Sequence, residues 1–118
     1  SRGDTGPYHK AVQDHLGAVA MDSMELLLAL GEADFEAAFT AEYERAAEKH
    51  PGMTLDSDNH TDESRFFALA EEVGEVCAAL THDNEAKTGH NANLVSEVTQ
   101  VGGLAVAWLA RYRGDERQ

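Results

Sequence analysis

Two stretches decide the fold: residues 70–80, Ala-Glu-Glu-Val-Gly-Glu-Val-Cys-Ala-Ala-Leu, and residues 94–109, Leu-Val-Ser-Glu-Val-Thr-Gln-Val-Gly-Gly-Leu-Ala-Val-Ala-Trp-Leu. In both, apolar residues return every three or four positions, the period of a helix with one buried face. Polar side chains interrupt that face. Glu72 and Glu75 are three residues apart, as are Glu97 and Gln100, so each pair projects from one side of its helix. A carboxylate taken out of water without a partner is costly. A cation is therefore expected there, and a hard divalent ion such as Mg2+, held through carboxylate oxygens and water, suits the donors.

Working outward, the remaining chain also reads as helix. Thr61 is placed to cap the helix that carries Glu72, with Asp62 and Glu63 in its favourable first turn. Phe66, Leu69, Ala70, Val73, Val76, Cys77 and Leu80 form its apolar stripe, and Cys77 reads as a small core residue. Asn91 or Asn93 is placed to cap the last helix, where Trp108 and Tyr112 anchor the core or a subunit interface. Upstream, Phe35, Phe39, Tyr43, Ala46 and His50 mark one face of a helix from about Ala33 to Lys49, stopped by Pro51-Gly52. The polar run from Gly52 to His60 reads as a mobile connecting loop, and residues 81–93 as another. Near the start, Pro7 can open a helix. Asp22 followed by Glu25 resembles a cap with its reciprocal partner, so a break is expected near Asp22 before a short helix to Leu30, although one longer helix fits almost as well.

No alternating run suggests a strand, and only two prolines interrupt the chain. The expectation is one all-α domain, an antiparallel helix bundle over 1–118, with 1–32 as an N-terminal helical extension and 33–113 as the core. Gly74, Gly102 and Gly103 lie inside helices at roughly 0.5–1 kcal/mol each relative to Ala, which close helix packing would explain.

Charge narrows the function. Twenty-two acids against nine bases give a formal charge of −13, with both signs spread over the two halves. No basic stripe exists to track a phosphate backbone, so duplex nucleic acid is not an expected partner. A free triphosphate would be repelled unless it arrived with its metal. One cysteine excludes an internal disulfide, and the six histidines fall in no compact zinc spacing. No apolar run approaches bilayer length and no signal-peptide pattern opens the chain, so the expectation is a cytoplasmic protein with no membrane partner. Phosphate-loop, dinucleotide-turn and nucleophile-elbow signatures do not occur.

The pair Glu72-x-x-Glu75, followed after 21 intervening residues by Glu97-x-x-Gln100, resembles the MazG-like family of all-α nucleoside triphosphate pyrophosphohydrolases. The segment Ala41-Glu42-Tyr43-Glu44-Arg45-Ala46-Ala47-Glu48-Lys49-His50 is similar to a first-helix segment of small bacterial and phage members. The resemblance covers about Phe35 to Tyr112. It implies magnesium held at Glu72, Glu75, Glu97 and Gln100, and hydrolysis of a nucleoside triphosphate to monophosphate and pyrophosphate in nucleotide-pool housekeeping. It also implies a homodimer or homotetramer that completes the bundle. Glu72 and Glu75 then take the catalytic roles, Glu75 as acceptor of the water's proton, and Arg45, Lys49 or His50 meet the phosphates. Glu42 and Glu44 are further carboxylates that could add charge near the metal, although this pattern on a helix is ordinarily a solvated face.

One position departs from the family pattern. Gln100 stands where aspartate is usual, and an amide oxygen still ligates magnesium but brings no charge, so a second ion is harder to retain. The alternative reading is a catalytically weakened MazG-like homo-oligomer that acts as a binding or regulatory protein.

Overall fold

The computed structural model describes residues 6–81 and 92–116. Among them lie four helices and no strand: α1 (Gly6–Ala29), α2 (Phe35–Lys49), α3 (Asp62–Ala79) and α4 (Ala92–Glu116). The chain is all-α. The helix α4 is the central column on which each of the other three packs; among the described residues neither α1 nor α2 approaches the α3 backbone closely. Ring contact between His9 and Tyr112 at one end, and the approach of Ser23 to Gly102 further along, set α1 antiparallel to α4. The helix α2 runs in the sense of α4, with Phe39 beside Gly102 and the segment that follows reaching Arg111. Successive helices thus alternate in direction.

Local signals explain the ends of these helices. The helix α1 closes on Gly31 at φ +92, with Gly31 N–H donating to Leu28 O (3.0 Å) and Glu32 N–H to Leu27 O (2.8 Å). That pairing satisfies two orphan carbonyls of the last turn and requires the left-handed conformation glycine adopts without penalty. Asp34 caps α2 through Ala37 N, and Thr61 caps α3 through Ser64 N. The break expected near Asp22 does not occur, and α1 is continuous through it. Leu16, Ala20, Ser23 and Leu27 fall on one buried face across that point, and their packing on α4 outweighs a local capping signal. Asn91 lies outside the described residues, and so does the segment from residue 82 to it.

The core runs along α4. Val101, Ala105, Trp108 and Tyr112 join Leu16, Ala20, Leu55 and Leu69 in one cluster, while Leu94 and Val98 join Leu27 and Phe39 in another. Two α4 glycines permit the close approach of its neighbours. A Cβ on Gly102 would fall 2.5 Å from the Phe39 ring and 2.9 Å from Ser23 Cβ; one on Gly103 would fall 3.2 Å from Glu42 Cγ. The close-packing reading thus holds for these two, whereas Gly74 has open space around it.

Two expectations about packing are corrected. On α3, Leu69 and Arg65 are the buried side chains, while Phe66 (58% exposed), Ala70, Val73, Cys77 and Leu80 face outward. Cys77 is therefore not a core residue of the single chain. The segment 51–61 is not a loose connector either. Arg65, 2% exposed, donates to Leu55 O (2.8 Å), Ser57 O (2.9 Å) and Asp62 Oδ1 (2.7 Å). Arg111 reaches Asp58 at 2.6 Å, and Leu55 is 3% exposed. A buried guanidinium each of whose three nitrogens finds an oxygen ties the segment to α3.

The glycine argument makes a paired prediction. Gly102→Ala loses about 1–3 kcal/mol to overpacking against Phe39 and Ser23, more than the ~1 kcal/mol that alanine gains in helix propensity. Gly17→Ala, whose Cβ meets nothing within 4 Å, gains that propensity alone. Thermal melts should show the first variant falling below the native chain and the second rising above it.

Candidate functional site

The cleft that matters lies between α2 and α3, with α4 as its floor. It holds about 520 Å3 and is lined by Glu42, Arg45, Lys49 and His50 from α2 and its cap, and Glu71 and Glu72 from α3. Gln100, Gly103, Leu104 and Ala107 come from α4, with Met53, Thr54, Leu55 and His60 from the connecting segment. Each element places its side chains for a local reason. On α2, Glu42, Arg45 and Lys49 recur at helical spacing on the side turned toward the cleft. On α4, Gln100, Gly103, Leu104 and Ala107 do the same.

Acidic groups gather at one end. Burial raises the Glu72 pKa above the ordinary carboxylate range, helped by the charges of Glu97, Glu75, Glu71 and Glu42. Burial likewise raises Glu97, with Glu75 and Glu42 adding to it, while a hydrogen bond with Glu72 pulls the other way. One Glu72 oxygen, Oε2, is sealed from solvent and has no hydrogen-bond partner. Charged oxygen that is desolvated, crowded by like charge and unpaired is costly in the absence of a cation.

The structure treats the expected site residues unequally. Glu72 and Gln100 line the cleft together with Arg45, Lys49 and His50, the residues expected to meet phosphate. Glu97 is half-buried beside Glu72, and Glu75 is exposed on α3, close enough to raise both. Neither Glu75 nor Glu97 is part of the cleft lining. Gln100 Nε2 donates to Ser96 Oγ at 3.5 Å, the long limit of a hydrogen bond. Among the described residues, no three His, Cys, Asp or Glu side chains stand together in metal-ligating positions.

Glu42 is the residue whose sequence reading favoured a solvated face. It leans over Gly103 and enters the acidic cluster, while Arg45 clamps it with Nε at 3.0 Å and NH2 at 2.6 Å. The hydrogen bond and charge of Glu42 raise the Arg45 pKa further, and Glu72 adds to this. The signal for Glu42 was the glycine opposite it on another helix. Spacing within α2 does not carry that information.

Comparison with protein-family models, with curated proteins and with solved structures gives no match for this chain.

A pH dependence follows. With Glu72 and Glu97 both raised, the folded metal-free chain binds more protons than the unfolded chain above the ordinary carboxylate range of about 4. Stability from this source is present at low pH and is lost as pH rises through the raised values. Glu72→Gln removes the repulsion and is expected to stabilise the metal-free protein at neutral pH by on the order of 0.5–1 kcal/mol, a partly screened charge effect. Melts from about pH 5 to about pH 7 check it, the variant showing the flatter dependence.

Proposed function

We propose that this chain is a magnesium-dependent nucleoside triphosphate pyrophosphohydrolase of MazG-like type, releasing pyrophosphate and the monophosphate in nucleotide-pool housekeeping. The observation that carries the reading is the buried, unpartnered Glu72 oxygen among like charges, at the end of a cleft that also presents Arg45, Lys49 and His50. Hard carboxylate oxygens suit magnesium, and an orphaned buried oxygen is what a removed cation would leave behind. Glu72, Glu97 and Glu75 would hold the ion, with the Gln100 amide as the neutral fourth donor. Glu75, exposed on α3, would have to turn toward Glu72 to join them. Magnesium held by these residues would supply charge withdrawal from phosphate oxygen and a more acidic water.

The chain's own groups do the rest. Glu75, one helical turn from Glu72, takes the proton from the attacking water. Lys49 and His50 meet the phosphate charge at the rim. Arg45, held by Glu42, presents a guanidinium between the acidic end and the rim and orients the leaving pyrophosphate.

The second reading is a binding or regulatory protein that keeps the scaffold without efficient turnover. Gln100 in place of a carboxylate, and Arg45 paired with Glu42 rather than open to phosphate, favour it. Pyrophosphate release from a panel of triphosphates decides between them. The hydrolase reading expects release only with magnesium, lowered at least about 100-fold in Glu72→Ala, since a metal ligand and charge are lost together. Silence in the native chain with release restored in Gln100→Asp supports the second.

The proposal includes a second copy of this chain as partner. Phe66, Ala70, Val73, Cys77 and Leu80 lie four, three, four and three residues apart on the exposed side of α3, the spacing of a seam between paired helices. An outward apolar stripe of that period is satisfied by the same stripe of another copy. Sedimentation equilibrium should find the native chain as at least a dimer and Val73→Glu as a monomer. A native chain that sediments as a single copy contradicts the partner. Because Glu71 and Glu75 flank the stripe, association should strengthen as salt screens their repulsion.

A further inference from the structure

On α2, Glu42 and Arg45 stand three residues apart on one side of the helix and are locked together. Arg45 Nε donates to Glu42 Oε2 at 3.0 Å and NH2 to Oε1 at 2.6 Å, a fork that matches both carboxylate oxygens at once. The partners differ in exposure: the Glu42 side chain is 17% exposed and that of Arg45 52%. Glu42 is held in because it leans over Gly103, where a Cβ would fall 3.2 Å from Glu42 Cγ and 3.5 Å from its Cβ. Arg45 keeps to the open side and lines the cleft with Lys49 and His50.

This placement makes the partner of Glu42 hard to give up. The Glu42 charge acts on both Glu72 and Glu97 and pushes each toward its protonated form. Without the guanidinium, Glu42 is one more inward acid in a set already crowded by like charge. A carboxylate taken partly out of water and left unpaired is costly. An anion entering the cleft meets a guanidinium with one edge of its fork occupied and its charge matched. It gains little from Arg45 unless Glu42 lets go.

Resting on the role proposed above for Arg45 at the phosphates, we infer that Glu42 competes with phosphate for Arg45, so that the cleft selects polyphosphate carrying a divalent cation over the free anion. A free polyphosphate takes the guanidinium only by leaving Glu42 bare among the acids. A polyphosphate complexed with a divalent cation brings positive charge to the same end, and that charge gives Glu42 a replacement partner. Cation and polyphosphate are thereby coupled through Glu42, and by linkage each raises the affinity of the other by the same factor. Glu42 is in this account a specificity-determining residue that acts through Arg45.

The test is isothermal titration of the full chain with inorganic pyrophosphate, first without metal and then with magnesium. Glu42→Gln keeps the shape of the side chain and removes its charge. Without metal, this variant should bind pyrophosphate about fivefold more tightly than the native chain, the weight of a well-formed pair at partial exposure. The gain should fall below about twofold in an Arg45→Ala background, and again when magnesium is present. Glu42→Ala repeats the comparison if Glu42→Gln folds poorly. Glu71→Gln, which neutralises an exposed acid of the same cleft, should change the affinity by less than about twofold. An unchanged metal-free affinity in Glu42→Gln overturns the inference, as does pyrophosphate binding by none of these chains. An equal gain without Arg45 overturns it too, since that marks a general field rather than competition, and so does an equal gain with magnesium. Turnover enters none of these readouts. Triphosphate hydrolysis by a chain that fails them leaves the hydrolase reading standing, whereas a chain that passes without turnover keeps Glu42 in this role while that reading falls.

Discussion

The cost of burying the Glu72 carboxylate is the constraint on which the site depends. Its oxygen is sealed and unpartnered, and Glu97, Glu75, Glu71 and Glu42 all push its pKa upward. A carboxylate perturbed by burial and by like charge marks a candidate functional site. The geometry that creates the cost is itself set by α4. Gly102 admits Phe39 and Ser23, Gly103 admits Glu42, and α2 thereby comes close enough to bring a further carboxylate and its clamped arginine to the acidic end. Two missing Cβ atoms connect the packing of the bundle to the electrostatics of the cleft.

The second structural device is the buried Arg65. Its guanidinium ties Leu55, Ser57 and Asp62 together and turns the segment after α2 into a fixed wall. Leaving such a charge unpaired would be severe, so the segment and the guanidinium depend on each other. The cleft accordingly has one wall made by irregular backbone and two made by helices. The segment presents Met53 and Leu55 to the cleft together with Thr54 and His60, whose side chains bond to Asp56, Met53 O and Ser64.

Much of the architecture was legible in the sequence. The helical period over residues 94–109, the cap at Thr61 and the stop at Pro51-Gly52 all report local physics, and the helices begin and end near where those signals stand. What could not be read was decided between helices. The capping pattern at Asp22 lost to the continuous face of Leu16, Ala20, Ser23 and Leu27 against α4. The period on α3 was correct as helix but wrong as core, because period shows that a face is apolar and not what covers it. Leu69 is buried while Phe66, Val73 and Leu80 are exposed. Of the residues grouped by the family resemblance, Glu72, Arg45, Lys49, His50 and Gln100 line one cleft whereas Glu75 and Glu97 do not; Glu42 was not legible, since its place rests on a glycine some sixty residues away. The polar composition of residues 52–60 suggested mobility, whereas those polar groups bond to Arg65, Arg111 and one another.

The central claim is that a divalent cation relieves the crowding at Glu72. Crystals soaked in manganese, a magnesium substitute with a strong anomalous signal, test this most directly. The account predicts an anomalous peak within oxygen-ligand distance of Glu72, with the carboxylates of Glu97 and Glu75 turned toward it. A well-ordered cleft without a peak, in which Glu72 stays beside Glu97 and Glu75 points to solvent, would contradict it.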